Sequence, residues 1–134
     1  MMPTFQASLR GLYAITDERL GGGHLALARS ALAGGARIVQ LRDKSTPSRT
    51  LLQIAHQLRV LTREAGALFL VNDRLDLALL CQADGLHLGP EDWPLEPVRR
   101  LLGPHKILGA SCSSAREVIE ARLAGADYVG VGAI

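Results

Sequence analysis

Six short apolar runs punctuate the chain, at residues 12–15, 38–41, 68–71, 85–88, 107–110 and 128–131, and their starts lie 17 to 30 residues apart. That spacing leaves room for one helix and two turns between successive runs. Strands separated by helix-sized segments predict parallel βα units, because a parallel partner strand needs a crossover connection. Each run is apolar nearly throughout, the pattern of strands covered on both faces.

The intervening segments carry helix signals. Thr46 before Pro47 reads as an N-cap with proline in the first turn. Leu51, Ile54, Ala55, Leu58 and Leu61 then mark one face of a helix that stops near Gly66. Ser114, three residues before Glu117, fits a capping box that opens a helix ending at Gly125. Shorter helices are predicted over about 24–33, 75–82 and 95–102. The junctions Ala33-Gly34-Gly35-Ala36, Ala65-Gly66-Ala67 and Ala124-Gly125-Ala126 each lead into a strand and resemble one repeated αβ turn. This favours a (βα) barrel over an open doubly wound sheet, in a single domain spanning 1–134.

Composition narrows the class. The 134 residues are 48% hydrophobic, enough to fill one core. Net charge is only +2, the basic residues are scattered, and aromatic residues make up 4%. Neither the basic footprint nor the stacking platforms of a nucleic-acid binder are present. No apolar run approaches the roughly 20 residues of a membrane span, and the start has no signal-peptide stretch. A cytoplasmic protein is expected, with Cys81 and Cys112 as buried thiols rather than a disulfide.

Chemistry collects where strands end. Gln40, Arg42 and Lys44 alternate with Leu41 and Asp43, so on an extended chain they share a face. An amide, a guanidinium and an ammonium together suit a phosphate or pyrophosphate; the plain alternative is a strand whose polar end reaches solvent. The other strand ends are also polar: Thr16 and Asp17 after the first, Asn72 and Asp73 after the third, residues 89–92 after the fourth and Ser111 after the fifth. Parallel barrels keep their chemistry at this end. Asp73 and Asp92 follow adjacent strands and could share one hard cation, magnesium being the natural choice beside a pyrophosphate. As alternatives, Asp73 could cap a helix and Asp92 could be a loop acid between Pro90 and Pro94. Asn72 and Ser111 gain meaning only from facing the same mouth. The four histidines do not cluster at ligand spacing, and His87 reads as a barrel-layer residue.

Taken together, Leu-Tyr-Ala-Ile-Thr-Asp17, Gln-Leu-Arg-Asp-Lys44, Val-Asn-Asp73, Asp-Gly-Leu-His-Leu-Gly89 with Glu-Asp92, Gly-Ala-Ser111 and Gly-Ala-Asp-Tyr-Val-Gly-Val-Gly132 resemble the thiamine phosphate synthase family. The resemblance implies a TIM-type barrel, here about six βα units. It also implies a transferase joining 4-amino-2-methyl-5-hydroxymethylpyrimidine diphosphate to 4-methyl-5-hydroxyethylthiazole phosphate, with release of pyrophosphate. By motif, Gln40, Arg42, Lys44, Asn72 and Ser111 would bind the pyrimidine diphosphate, with Arg42, Lys44 and Ser111 in the catalytic set, and Asp73 and Asp92 would hold Mg2+. The family's chemistry is dissociative, which agrees with a residue set rich in charge neutralisers and lacking an obvious general base.

The chain departs from the family pattern in three places. Ser113 stands where the family usually has histidine, and Pro90 where it has glutamine. The Pro-Thr-x-Thr-Lys loop that follows Gly-Val-Gly-Ala-Ile134 in the family has no counterpart here, so a C-terminally truncated, incomplete barrel with exposed strand edges is expected. Two other readings stay open: a thiazole tautomerase-like paralogue, and a non-catalytic barrel that binds ligand or pairs with another copy through those edges.

Overall fold

The computed structural model describes residues 9–132. Six strands alternate with five helices: β1 (Tyr13–Thr16), α1 (His24–Ala33), β2 (Ile38–Leu41), α2 (Ser48–Glu64), β3 (Leu68–Asn72), α3 (Leu75–Leu80), β4 (Gly85–Leu88), α4 (Leu95–Leu102), β5 (Ile107–Cys112), α5 (Ala115–Leu123) and β6 (Tyr128–Val131). Every strand pairs in parallel with its sequence neighbour, giving one sheet in the order β1 to β6. The expected barrel-type βα architecture is therefore present as a curled half-barrel. Its curl is visible in one contact: Tyr13 on β1 and Tyr128 on β6 share no backbone pairing, yet their hydroxyls lie 2.6 Å apart.

The two-residue period of a strand sorts side chains onto two faces. Val39, Leu41, Phe69, Val71, Leu86, Leu88 and Leu108 join residues of α1 to α4, among them Ala28, Ala55, Leu58, Leu77 and Val98, in the main buried core. Ile38, Leu70 and Ile107 point the other way and form a smaller apolar floor with Tyr13 and Tyr128. The floor closes the interior at one end and leaves the C-terminal strand ends for polar groups.

The repeated αβ turn has a physical basis. Ala36, Ala67 and Ala126 each donate a backbone bond to the carbonyl five residues back, on Ala31, Thr62 and Ala121. The residue before each, Gly35, Gly66 or Gly125, has a positive φ that glycine alone adopts without cost. The α3 turn uses the same bond, from Ala83 to Ala78, but places Gln82 at φ 55°.

Several expectations need correction. Coverage on both faces holds for β2 to β5 and fails at the sheet's edges, where Ile15 is 52% and Val131 69% exposed because each edge strand has a single neighbour. Thr46 does not cap α2: the helix starts after Pro47, and the Thr46 hydroxyl donates instead to the Asp43 carboxylate. β3 and β5 run further than their apolar runs, since Asn72 pairs with His87 and Cys112 with Val131, so Asn72 and Ser111 lie on strands rather than beyond them. At α5 the capping box forms in altered shape. Ser114 accepts from the Glu117 amide, while the Glu117 carboxylate reaches back to the Ser113 amide.

Gly109 faces the interior, and a Cβ there would overlap the Tyr128 ring. Gly109→Ala is expected to cost about 1–3 kcal/mol through overpacking. In a Tyr128→Leu background the same change should cost much less. Urea unfolding of the four chains checks this, and equal costs in both backgrounds would sever the glycine from the ring.

Candidate functional site

A cavity of about 700 Å³ opens inside the curl, lined by Gln40, Arg42, Asn72 and Ser111 together with Tyr13, His87 and Tyr128. Four of the five predicted diphosphate ligands therefore meet in one place. They meet because β2, β3 and β5 turn their interior-facing positions to the same mouth, and because β2 ends with Gln40 and Arg42 on the inner side and Leu41 and Asp43 on the other. Gln40 is buried and Arg42 exposed. Among the described residues Arg42 makes no ion pair.

The fifth, Lys44, is absent from this lining and pairs with the carboxylate of Asp73. Asp73 does not cap α3, whose N-cap position is Arg74 and whose Leu77 amide is accepted by Asp76. Its φ of 56° is a left-handed conformation that aspartate tolerates better than most residues, and its amide donates to the His87 carbonyl at 2.9 Å, tying β3 to β4. Asp92 folds back so that one carboxylate oxygen accepts the Gly89 amide at 2.6 Å, and it lines a neighbouring cavity of about 420 Å³. The two cavities share Pro90, Ser111, Cys112 and Glu117. Asp73 and Asp92 thus stand at adjacent strand ends, each engaged with its own protein partner.

Three residues not among the predicted ligands prove central: Tyr13 and Tyr128, which sequence reasoning passed over, and the layer residue His87. Gln40 Nε2 donates to Tyr13 at 2.7 Å, and Tyr13 meets Tyr128 at 2.6 Å. The Tyr128 hydroxyl lies 2.8 Å from His87 Nδ1, and His87 Nε2 lies 2.8 Å from Ser111 Oγ. One arrangement of protons satisfies the whole chain: Gln40 donates to Tyr13, Tyr13 to Tyr128, Tyr128 to a neutral His87, and His87 to Ser111. Burial lowers the His87 pKa despite the opposing charge of Asp92, which favours the neutral ring this arrangement needs. Burial likewise raises both tyrosines, keeping them protonated. In this arrangement Ser111 keeps its own hydroxyl proton to offer into the cavity. His87 is a layer residue, as expected, and a wired one. Period-two spacing from Gln40 and Ser111 across the register could have flagged Tyr13, His87 and Tyr128, but only with the curl known.

Cys81 and Cys112 are both free and buried, and burial raises their thiol pKa values. Cys112 is thus a poor nucleophile.

The family described as Thiamine monophosphate synthase matches residues 12–134. The chain belongs to that family. It is 54% identical to the thiamine-phosphate synthase of Moorella thermoacetica over 92% of this chain and 60% of that protein. It is 48% identical to that of Pyrococcus horikoshii over 92% of this chain and 58% of that protein. The solved structure of a thiamine phosphate pyrophosphorylase from Pyrococcus furiosus superposes with a TM-score of 0.90 at 46% identity, covering 98% of this chain and 63% of that one. These similarities do not favour the tautomerase-like alternative. The chain spans about 60% of the length of the synthases it matches. No helix among the described residues is long and apolar enough to cross a membrane.

Behind the family's Arg42–Lys44 segment, Asp43 turns away from the cavity. Burial would raise its pKa, but hydrogen bonds from Thr46, His24 and Ser45 outweigh burial and hold the carboxyl well below its usual range. A depressed carboxylate stabilises the fold above its unfolded pKa, about 4, and that stabilisation fades as pH falls through the lower folded value. The stability gap between wild type and Asp43→Asn is therefore expected to be widest above about pH 5 and to narrow toward pH 3. Urea titrations across that range check it; a gap that widens on acidification would contradict the assignment.

Proposed function

We propose that this chain acts in thiamine biosynthesis as a thiamine phosphate synthase. In this reading it joins the pyrimidine diphosphate to the thiazole phosphate with release of pyrophosphate, and the 700 Å³ cavity serves the pyrimidine diphosphate. The observation that carries the reading is the convergence of Gln40, Arg42, Asn72 and Ser111 on that one cavity, with Lys44 two residues beyond Arg42. Relatives carrying the synthase name over this same segment support it.

Each residue has a role set by its chemistry. Arg42, exposed and without an ion pair among the described residues, offers a bidentate fork to the diphosphate. Lys44 adds a point charge. Asn72 and Ser111 supply neutral donors, Ser111 through the proton that the His87 chain leaves it. Gln40 is committed to Tyr13 through one amide proton and has a second donor and its carbonyl left for the ring or its substituents. Tyr13 and His87 wall the cavity and exclude water from a developing cation.

Magnesium fits the donor set: two carboxylates, Asp73 and Asp92, at adjacent strand ends next to a site for phosphate oxygens, with no soft ligand among them. When bound it would neutralise the diphosphate and stabilise pyrophosphate as it departs. Asp73 and Asp92 would hold it, and Lys44 would then be released from Asp73 toward the anion. The proposed setting is the cytoplasm, since multiply charged phosphorylated substrates do not cross a bilayer unaided.

The test is pyrophosphate release by the 134-residue chain given magnesium and the pyrimidine diphosphate, with and without the thiazole phosphate. Release that needs both substrates and the metal is expected; none with both present would sink the reading for this chain. Arg42→Ala should weaken pyrimidine diphosphate binding about 10- to 100-fold, the worth of a charged hydrogen bond of about 1.5–3 kcal/mol, with little change in melting temperature. Asp92→Ala should abolish the magnesium-dependent rate while leaving the fold intact.

A further inference from the structure

A second buried network lies on the opposite side of β2 from the cavity. His24, the first residue of α1, is 1% exposed. Its Nδ1 lies 2.7 Å from the hydroxyl of Thr16, at the end of β1, and its Nε2 lies 2.8 Å from a carboxylate oxygen of Asp43, whose side chain is 3% exposed. An ionised carboxylate only accepts, so Nε2 is the donor in that bond. Asp43 in turn gathers the loop after β2: its two oxygens accept the amides of Ser45 at 2.8 Å and Thr46 at 2.7 Å, and the Thr46 hydroxyl at 2.6 Å. Lys44 is enclosed in that turn, and Arg42 precedes it.

Glu18, His24 and Asp43 lie close enough together to suggest a metal site. Hydrogen bonding argues otherwise. Both ring nitrogens of His24 are engaged, and both Asp43 oxygens receive donors, so neither buried member of the group holds an unclaimed ligand atom. Glu18 belongs to the same system, accepting the His24 amide at 3.3 Å while staying 55% exposed.

We propose that His24 is a positioning residue for diphosphate binding: held between Thr16 and Asp43, it locks the β2 loop so that Arg42 and Lys44 are presented at the cavity mouth in one fixed geometry. This rests on the reading that Arg42 and Lys44 bind the diphosphate. The side-chain alternation of β2 makes the mechanism specific. Arg42 and Lys44 sit on either side of Asp43 in sequence, Arg42 lining the cavity and Lys44 reaching Asp73 at the end of β3, so anchoring Asp43 from behind restrains the backbone that carries both cations. A buried anion that lost its His24 partner would keep its desolvation cost and lose a charge-assisted bond, so the loop would re-form around water in many conformations. Two mobile cations bind a diphosphate worse than two fixed ones, because ordering them on binding then opposes association.

The experiment compares wild type, His24→Leu, His24→Gln and Arg42→Ala in two readouts. One is hydrogen exchange at the Ser45 and Thr46 amides, which needs no ligand. The other is the affinity for magnesium pyrophosphate by calorimetry. His24→Leu should speed exchange at Ser45 and Thr46 at least tenfold while leaving the Leu58 amide in α2 protected, and should weaken pyrophosphate binding about tenfold. His24→Gln, whose amide can still donate to Asp43, should recover most of both. Unchanged loop exchange in a folded His24→Leu overturns the proposal, and so does wild-type pyrophosphate affinity in that variant when Arg42→Ala has lost it. Failure of wild type to bind pyrophosphate, with the loop exchange behaving as expected, instead overturns the diphosphate reading while keeping the anchor. Should His24→Leu not fold, Thr16→Val breaks the far end of the same network and takes the same two readouts.

Discussion

The pleat of the parallel sheet is the constraint from which the rest follows. Every strand has two faces, and here they carry incompatible duties: one packs helices, the other builds a polar interior. A shift of one residue in any strand would exchange the two sets and put Gln40 or Ser111 into the helix-packing core. The register is held at the end of the sheet remote from the cavity. Asp84 accepts the Phe69 amide and Arg59 in α2, and Asp127 repeats the device with the Leu108 amide and Arg99 in α4. Arg99 extends it by donating to the carbonyls of Gly103, Lys106 and Gly125. Buried and half-buried charge at that end serves structure, as Asp43 does behind the cavity, while Arg42 at the cavity mouth stands without an ion pair among the described residues.

The interior chain from Gln40 to Ser111 shows how an enclosed polar surface is made tolerable. Burying an unpartnered hydroxyl or imidazole costs about 1–3 kcal/mol, so five polar side chains inside the curl would be a serious burden if left alone. Linked head to tail, each of the five meets a partner, and what remains is the second amide proton of Gln40 and, in the arrangement described, the hydroxyl proton of Ser111. The Ser111 proton sits in the family's serine position. The chain also joins β1 to β6 across the open side of the sheet, where no backbone bonds exist, so the same side chains that define the cavity help hold its curvature.

Much of this was readable from sequence because the relevant signals are local. Strand and helix positions followed from run length and spacing, and three strands, β2, β4 and β6, match their apolar runs residue for residue. The Gln40, Arg42, Lys44 alternation placed the first two in the cavity. What could not be read depends on contacts between distant segments. Thr46 was a convincing cap until Asp43, itself buried by α1, claimed its hydroxyl. Tyr13 and Tyr128 are 115 residues apart, and nothing in either neighbourhood signals that their rings meet. Edge exposure at β1 and β6 also escapes a pattern test, since an apolar strand reads alike whether it has one neighbour or two.

The contrast between Arg42 and Lys44 carries the electrostatic logic one step further. Arg42 stands without an ion pair among the described residues, whereas Lys44 is matched by Asp73, with side-chain exposures of 54% and 15%. With the Lys44 end more than half exposed, such a pair contributes on the order of 1 kcal/mol, so the pairing is a weak claim on Lys44. On the proposed reading, a diphosphate drawing Lys44 away would strand the Asp73 carboxylate, and a divalent cation on Asp73 would strand Lys44. Each ligand therefore relieves the charge that the other leaves behind. Anion and cation would favour one another's binding through a bridge that costs little to open, which gives the left-handed, strand-tied Asp73 a reason to stand where it does.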